Sequence, residues 1–278
     1  MANKTLKYGN KIISLGGNVI RPGAPVQDGL VIWVDPANRK SVPTDFHVTH
    51  ELSCLVSGRT TSAASPTEYG ILDGNFLKSE DTLYGPSQIP TGRLQFNFGG
   101  DAGLSATFSN SSFSIEEWYL VTNQNYPETF CGGTISGNAY AAGLTGFEWN
   151  HGIQTSGYTR VKCITQPTNT VVTNTINHLP GYGAPDVWNH RVIVCDRELS
   201  SVSVYMDGDF QGSGSIAAIG NDSLYDSNQG AGDALHLGYV AGWAHEGKRG
   251  PTRIYNKALS QAEITENYLS EKLRYQPN

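Results

Sequence analysis

Glu116 and Glu117 are the first side chains to test for chemistry. A retaining glycosidase needs two carboxylates about 5–5.5 Å apart, which on a single strand requires alternate positions, because side chains two residues apart share a face. Consecutive residues of a strand point to opposite faces, so Glu116 and Glu117 read as structural acceptors or rim charges. The segment Gly242-Trp-Ala-His-Glu-Gly-Lys-Arg249 comes close to a phosphate-binding loop. It lacks the terminal hydroxyl that would hold Mg²⁺, and Gly250–Pro251 follows where a helix must begin. His47, His50, Glu51 and Cys54 stand at i, i+3, i+4 and i+7, a zinc-binding pattern only if the segment is helical. Pro43, Ser53, Ser57 and Gly58 around them mark a loop instead. With no G-x-S-x-G elbow either, the residues point to a protein that is not an enzyme.

Binding chemistry has better candidates. A sugar site wants an aromatic platform beside polar groups, and Trp243 with His245, or Trp149 with Asn150 and His151, offer that combination. Asp222, Asp226 and Asn228 present hard oxygens of the kind Ca²⁺ takes, although Asx turns account for the same composition without an ion. Ca²⁺ is the one cofactor these residues suggest.

Composition sets the scaffold that must position them. The chain has 278 residues, 19 basic against 25 acidic, for a net charge of −6 at pH 7, and its only basic pairs are Arg39–Lys40 and Lys248–Arg249. Nucleic-acid binding needs clustered Lys and Arg, so it is excluded as an expectation. Charged residues make up 16% and glycine 32 positions, against roughly 25% charged and about 7% glycine in ordinary soluble domains. A neutral, hydroxyl-rich surface with many turn residues suits an all-β fold. The start, Met1 to Gly9, has no apolar stretch with a cleavage site and reads as no signal peptide. No window is apolar enough for a membrane span. The four cysteines, Cys54, Cys131, Cys163 and Cys195, follow no C-x-x-C spacing and read as free thiols.

Residues 1–27 read as an arm, broken by Pro22, Gly23 and Pro25, that docks on its own domain or on another subunit. From Asp28 the pattern is β. Leu30–Val34 is a continuous apolar run, predicting a strand buried on both faces. Leu94, Phe96 and Phe98 alternate with polar residues, and Phe113–Val121 and His190–Asp196 are long strands. Val202, Val204 and Met206 alternate into Asp207–Gly208, which supplies a two-residue hairpin turn. Helix is expected only at the end, over about 261–273. There Ser260 and Glu263 form a capping box, and Leu259 and Ile264 have the spacing of a hydrophobic staple.

Three segments then resemble the concanavalin A-like, laminin-G-like jelly rolls. Asp186-Val-Trp-Asn-His-Arg-Val-Ile-Val followed by Ser203-Val-Tyr-Met-Asp-Gly is similar to that family's Trp, strand and Y-x-D-G hairpin. Leu235-His-Leu-Gly and Arg253-Ile-Tyr-Asn-Lys-Ala-Leu-Ser-Gln-Ala-Glu-Ile resemble its closing signature, and Phe113-Ser-Ile-Glu-Glu-Trp its F-T-[IL]-E-x-W strand. The resemblance implies a jelly-roll β-sandwich over 28–278 with one C-terminal helix. The opening Asp28-Gly-Leu-Val-Ile-Trp-Val-Asp-Pro-Ala-Asn-Arg-Lys-Ser is similar to such domains in virion proteins of tailed bacteriophages. That implies a capsid decoration or head-fibre component, made in the host cytoplasm and carried in the virion, a homo-oligomer docked on other virion proteins through the arm. The alternative the fold implies is a glycan-binding adhesion module, with or without Ca²⁺, and a more remote one is a polysaccharide-degrading enzyme. The fold alone does not choose among these.

Overall fold

The computed structural model describes residues 25–38, 40–42, 52–58, 62–63, 71–73, 76–79, 94–97, 102–121, 133–135, 145–152, 157–184, 186–225, 234–237, 239–240, 243–244 and 247–276. In chain order the elements are β1 (Leu30–Val34), β2 (Ser62–Ala63), β3 (Ile71–Asp73), β4 (Phe76–Ser79), β5 (Leu94–Asn97), α1 (Ala102–Ser109) and β6 (Phe113–Val121). Next come β7 (Gly133–Ile135), β8 (Gly146–Gly152), β9 (Tyr158–Ile164), β10 (Val171–Asn177), β11 (Trp188–Asp196), β12 (Ser201–Met206) and β13 (Asp209–Ser215). The chain ends with β14 (Ala234–Leu237), β15 (Tyr239–Val240), β16 (Trp243–Ala244), β17 (Gly247–Tyr255) and α2 (Gln261–Tyr275).

These strands build an antiparallel β-sandwich. The first sheet runs β13-β12-β11-β6-β17-β4-β3, with β1 also on β17, and the second runs β10-β9-β8-β7-β14-β5-β2. Strand β17 pairs with β6 along both its halves, while its far edge takes β4 at Gly247–Arg249 and β1 at Thr252–Tyr255. The register shifts between Arg249 and Thr252, where Pro251 has no N–H to give to a ladder. Gly250 is needed there, since a Cβ would lie 3.0 Å from the Trp118 Cβ and 3.1 Å from the Tyr275 ring.

The alternation of β6, β11 and β12 decides which side chains meet. Phe113, Ile115, Tyr119, Ile193, Cys195, Val202, Val204 and Met206 face Phe147, Trp149, Val161, Cys163, Leu235 and Leu237 of the second sheet in one core. Phe113 and Phe147 meet edge to face at 4.9 Å, a favoured aromatic geometry. The other face of the first sheet carries α2. Ile264 and Leu259 pack there on Val192, Val194 and Tyr255, and Tyr268 and Tyr275 stack on Trp118. The capping box at Ser260 and Glu263 forms as expected, and Asp207 and Gly208 adopt the positive φ of their hairpin.

Two expectations need correction. Strand β1 is buried on one face only: Ile32 and Val34 are buried while Leu30, Val31 and Trp33 are half-exposed. A helix also precedes β6. Its Leu104, Thr107 and Phe108 are buried at the i, i+3, i+4 spacing of a helix face, but Gly103, Ser105, Thr107 and Ser109 are weak helix formers that hide the pattern. Of the arm, residues 1–24 lie outside the described residues. Pro25 is buried, and the Val26 N–H donates to Asn267 Oδ1 of α2 at 2.7 Å, so the last arm residues pack in cis.

Candidate functional site

Glu116 and Glu117 lie on opposite faces of the first sheet, and both are held by full sets of donors. On the helix side, Glu116 Oε1 accepts from Arg253 Nη1 at 2.6 Å and meets His190 Nε2 at 3.1 Å. Its Oε2 accepts from Asn267 Nδ2 at 2.7 Å and the Tyr255 hydroxyl at 3.0 Å. Arg253 continues to Glu271 Oε1 at 2.6 Å. On the core side, Glu117 Oε1 accepts from Arg191 and from Trp149 Nε1 at 3.0 Å, and Oε2 from Arg249 Nη1 at 2.6 Å. Burial alone would raise both carboxyls. Arg253 with His190 and Tyr255, and Arg191 with Arg249, outweigh it and hold each at about 2. All four oxygens are occupied, so this pair is structural, as the sequence implies.

The second sheet treats its acids differently. In β8 the side chains alternate, Phe147 and Trp149 inward, Glu148 and Asn150 outward. Lys162 of β9 stands opposite Glu148, and Arg160 opposite Asn150. Glu148 and Asn150 are 1% and 0% exposed. Asn150 Nδ2 donates to Glu148 Oε1 at 3.4 Å, whereas Glu148 Oε2 and Asn150 Oδ1 are buried with no hydrogen-bond partner among the described residues. Burial pushes the Glu148 carboxyl up to about 7, against the pull of Lys162, Arg160 and Asn150. A buried acceptor left unmet costs about 1–3 kcal/mol, and β8 carries two side by side on one face.

The residues expected to bind fare unevenly. Trp149 is not a platform: it is fully buried, and its N–H is given to Glu117. The same strand, β8, turns Glu148 and Asn150 to the opposite face. His151 takes a β8 position opposite Thr159, and Trp243 pairs with Val240 in β16; the side chains of both, and all of His245, lie outside the described residues. Asp222 Oδ2 accepts from the hydroxyls of Thr165, at 3.2 Å, and Thr168. Asp226 and Asn228 lie outside the described residues, as do His47, His50 and Glu51, while Cys54 is buried. Among the described residues no group of three or more His, Cys, Asp or Glu could hold a metal ion. Lys248 and Arg249 belong to strand β17, and Arg249 is buried against Glu117, which removes them from any phosphate loop.

The opening motif also has a structural use. Asp35 Oδ1 accepts from the Ala37 N–H at 2.9 Å, Ser41 N–H donates to the Asn38 carbonyl at 2.8 Å, and Ser41 Oγ donates to the Ser53 carbonyl at 2.6 Å. Arg274 of α2 grips both Asp35 oxygens, at 2.7 and 3.1 Å. Asp35, Asn38 and Ser41 thus shape the turn after β1 and tie it to the last helix.

No protein-family model matches the chain, and no curated protein matches it in sequence. Solved structures do. The ligand-binding domain of botulinum neurotoxin serotype D, in complex with N-acetylneuraminic acid, superimposes with a TM-score of 0.57 at 13% identity over 89% of this chain and 52% of that one. The binding domain of Paraclostridial mosquitocidal protein 1 gives 0.54 at 15% identity, over 86% and 52%. The CBM40 of Ruminococcus gnavus IT-sialidase, bound to α2,3-sialyllactose, gives 0.46 at 13% identity, over 62% of this chain and 90% of that one. The chain spans about half the length of the two toxin structures. At these identities the likeness establishes the fold, an antiparallel jelly-roll-like β-sandwich.

Proposed function

We propose that the chain is a carbohydrate-binding module that holds a glycan against the outer face of the second sheet. The observation that carries this is the half-buried pair Arg160 and Lys162 of β9, which stand at the surface beside the buried Glu148–Asn150 pair. Arginine and lysine donate to sugar oxygens, and a few well-placed polar groups are what fixes a ligand's orientation in such sites. The toxin domain in complex with N-acetylneuraminic acid supports the reading as a use to which this fold is put. Surface glycans are the partners it implies.

The virion setting, with the arm docked on neighbouring virion proteins, rests on the sequence of the opening alone, and Asp35, Asn38 and Ser41 in that opening serve the fold. Binding of the full chain to a broad glycan array, run with Ca²⁺ and with EDTA, tests the proposal. Saturable binding that is lost when Arg160→Ala and Lys162→Ala are combined supports it. An array silent for the folded wild-type protein contradicts it, and loss in EDTA would add an ion near Asp222.

A further inference from the structure

The geometry points to a second site, independent of the glycan face: the cleft between the β12–β13 hairpin and α2 takes a primary alkylammonium group, that of a free diamine or of a lysine side chain. The cleft encloses about 400 Å³, within the roughly 300–1,000 Å³ of small-molecule sites, and exposed Asp209 opens it to solvent. One wall is the hairpin tip, with Asp207 and Asp209. The other is α2, with Tyr268, Leu269 and Lys272, and Tyr182 also lines the space. Gly208 at the tip lets the two walls approach, since a Cβ there would lie 3.1 Å from Tyr268 Cδ1.

The two carboxylates of the tip are held in place without being neutralised. Asp209 Oδ2 accepts from the Tyr182 hydroxyl at 2.5 Å, and Asp207 accepts from the His190 N–H at 2.9 Å and from Gln276 Nε2 at 3.0 Å. Each of these donors is uncharged, and the ion pairs among the described residues involve neither aspartate. The Tyr182 bond leaves Asp209 Oδ1 for a ligand. The helix wall already seats one ammonium, since Lys272 Nζ lies over the Tyr268 ring at 5.3 Å, a face that attracts cations. Two carboxylates against one lysine leave the lining with a net negative charge, which disfavours an anion. A divalent cation needs about six or more oxygens, whereas both oxygens of Asp207 and one of Asp209 are already engaged. A quaternary ammonium has no N–H to give. A primary one donates to the carboxylates while its methylene stem lies along Leu269 and the tyrosine rings. A neutral sugar gains nothing from the charge, which separates this site from the glycan one.

The test is calorimetric titration of the full chain with cadaverine, Nα-acetyl-lysine amide and choline. Cadaverine is expected to bind with a Kd of about 1 mM or tighter. Choline should bind at least about tenfold more weakly, because it cannot make the charge-assisted bonds to a carboxylate. Asp209→Asn changes an exposed position and keeps an oxygen for Tyr182, and it should weaken cadaverine about tenfold. Lys272→Gln should tighten it about threefold or more by removing the resident charge that competes for the Tyr268 face; a purely structural cleft gives no such gain. Binding of Nα-acetyl-lysine amide as well assigns the site to a lysine side chain, and binding of cadaverine alone assigns it to a free diamine. No saturation by either primary amine overturns the site, as does equal affinity for choline or a cadaverine affinity unchanged in both variants. If a variant does not fold, amide shifts of the labelled wild-type chain decide, since cadaverine must move Asp207, Asp209 and Tyr268. The glycan array bears only on the second sheet, so either reading can fail without the other.

Discussion

Glu117 and Glu148 are both buried carboxylates on central strands of the same sandwich, and their surroundings are opposite. Glu117 looks into the core, where two arginines and the Trp149 indole meet it, and its carboxyl is held at about 2. Glu148 looks outward from the second sheet, keeps one oxygen without a donor, and is pushed up to about 7. A buried charge is tolerable when it is paired and hydrogen-bonded, and otherwise it gives up its charge. The first sheet therefore uses its acids to fix the fold, and the second buries one without a full set of donors.

Acid should separate the two regions most strongly. Glu116 and Glu117 are depressed from 4.5 to about 2, so the stability they contribute is present above about 4.5 and lost as pH falls through about 2. Thermal melts from pH 5 to 2 should show a steep decline, which Glu148→Gln leaves in place. At neutral pH, Glu117→Ala strands Arg191 and Arg249 in the core and is expected to destabilise by about 3–5 kcal/mol. A urea midpoint that barely moves would refute the structural role given to that network.

Glu148 works with the reverse sign. Its carboxyl is raised, so the stability it contributes is complete below about 4.5 and is lost as pH rises through about 7. Glu148→Gln should therefore be more stable than wild type at pH 8, by roughly 1–3 kcal/mol, and indistinguishable from it at pH 4. Equal stability at pH 8 would mean that the carboxyl is not buried as described. The smallest effect belongs to Trp149→Phe, which removes one hydrogen bond to Glu117 and about 1–2 kcal/mol while leaving sugar binding unchanged. Loss of binding in a folded Trp149→Phe variant would return the site to the inner face.

Much of the scaffold is legible in the residues because local rules decide it. The Asp207–Gly208 turn, the Ser260 cap and the Leu259–Ile264 staple depend on positions a few residues apart, and each forms as the spacing implies. Helix α1 escapes notice because its apolar residues are few and its other positions are small. The site is harder to read for a different reason. Trp149 and Asn150 lie on the strand of the proposed site, but which of two alternating faces turns inward is set by β7 and β9, which supply the partners. A shift of one residue moves every side chain to the other face, and with it Glu148 and Asn150 replace Trp149 and His151 as candidates. Even the orphaned oxygens depend on what approaches from other strands, so no pattern within Phe147-Glu-Trp-Asn150 could show them.

Chemical-shift mapping of the isotope-labelled chain against the glycan selected on the array tests the central claim most directly. The account predicts that the largest perturbations fall on Glu148, Asn150, Arg160 and Lys162, with the amides around Glu116 and Glu117 unmoved. Perturbations centred instead on the cleft between the β12–β13 hairpin and α2, lined by Tyr182, Asp209, Tyr268 and Lys272, would contradict it.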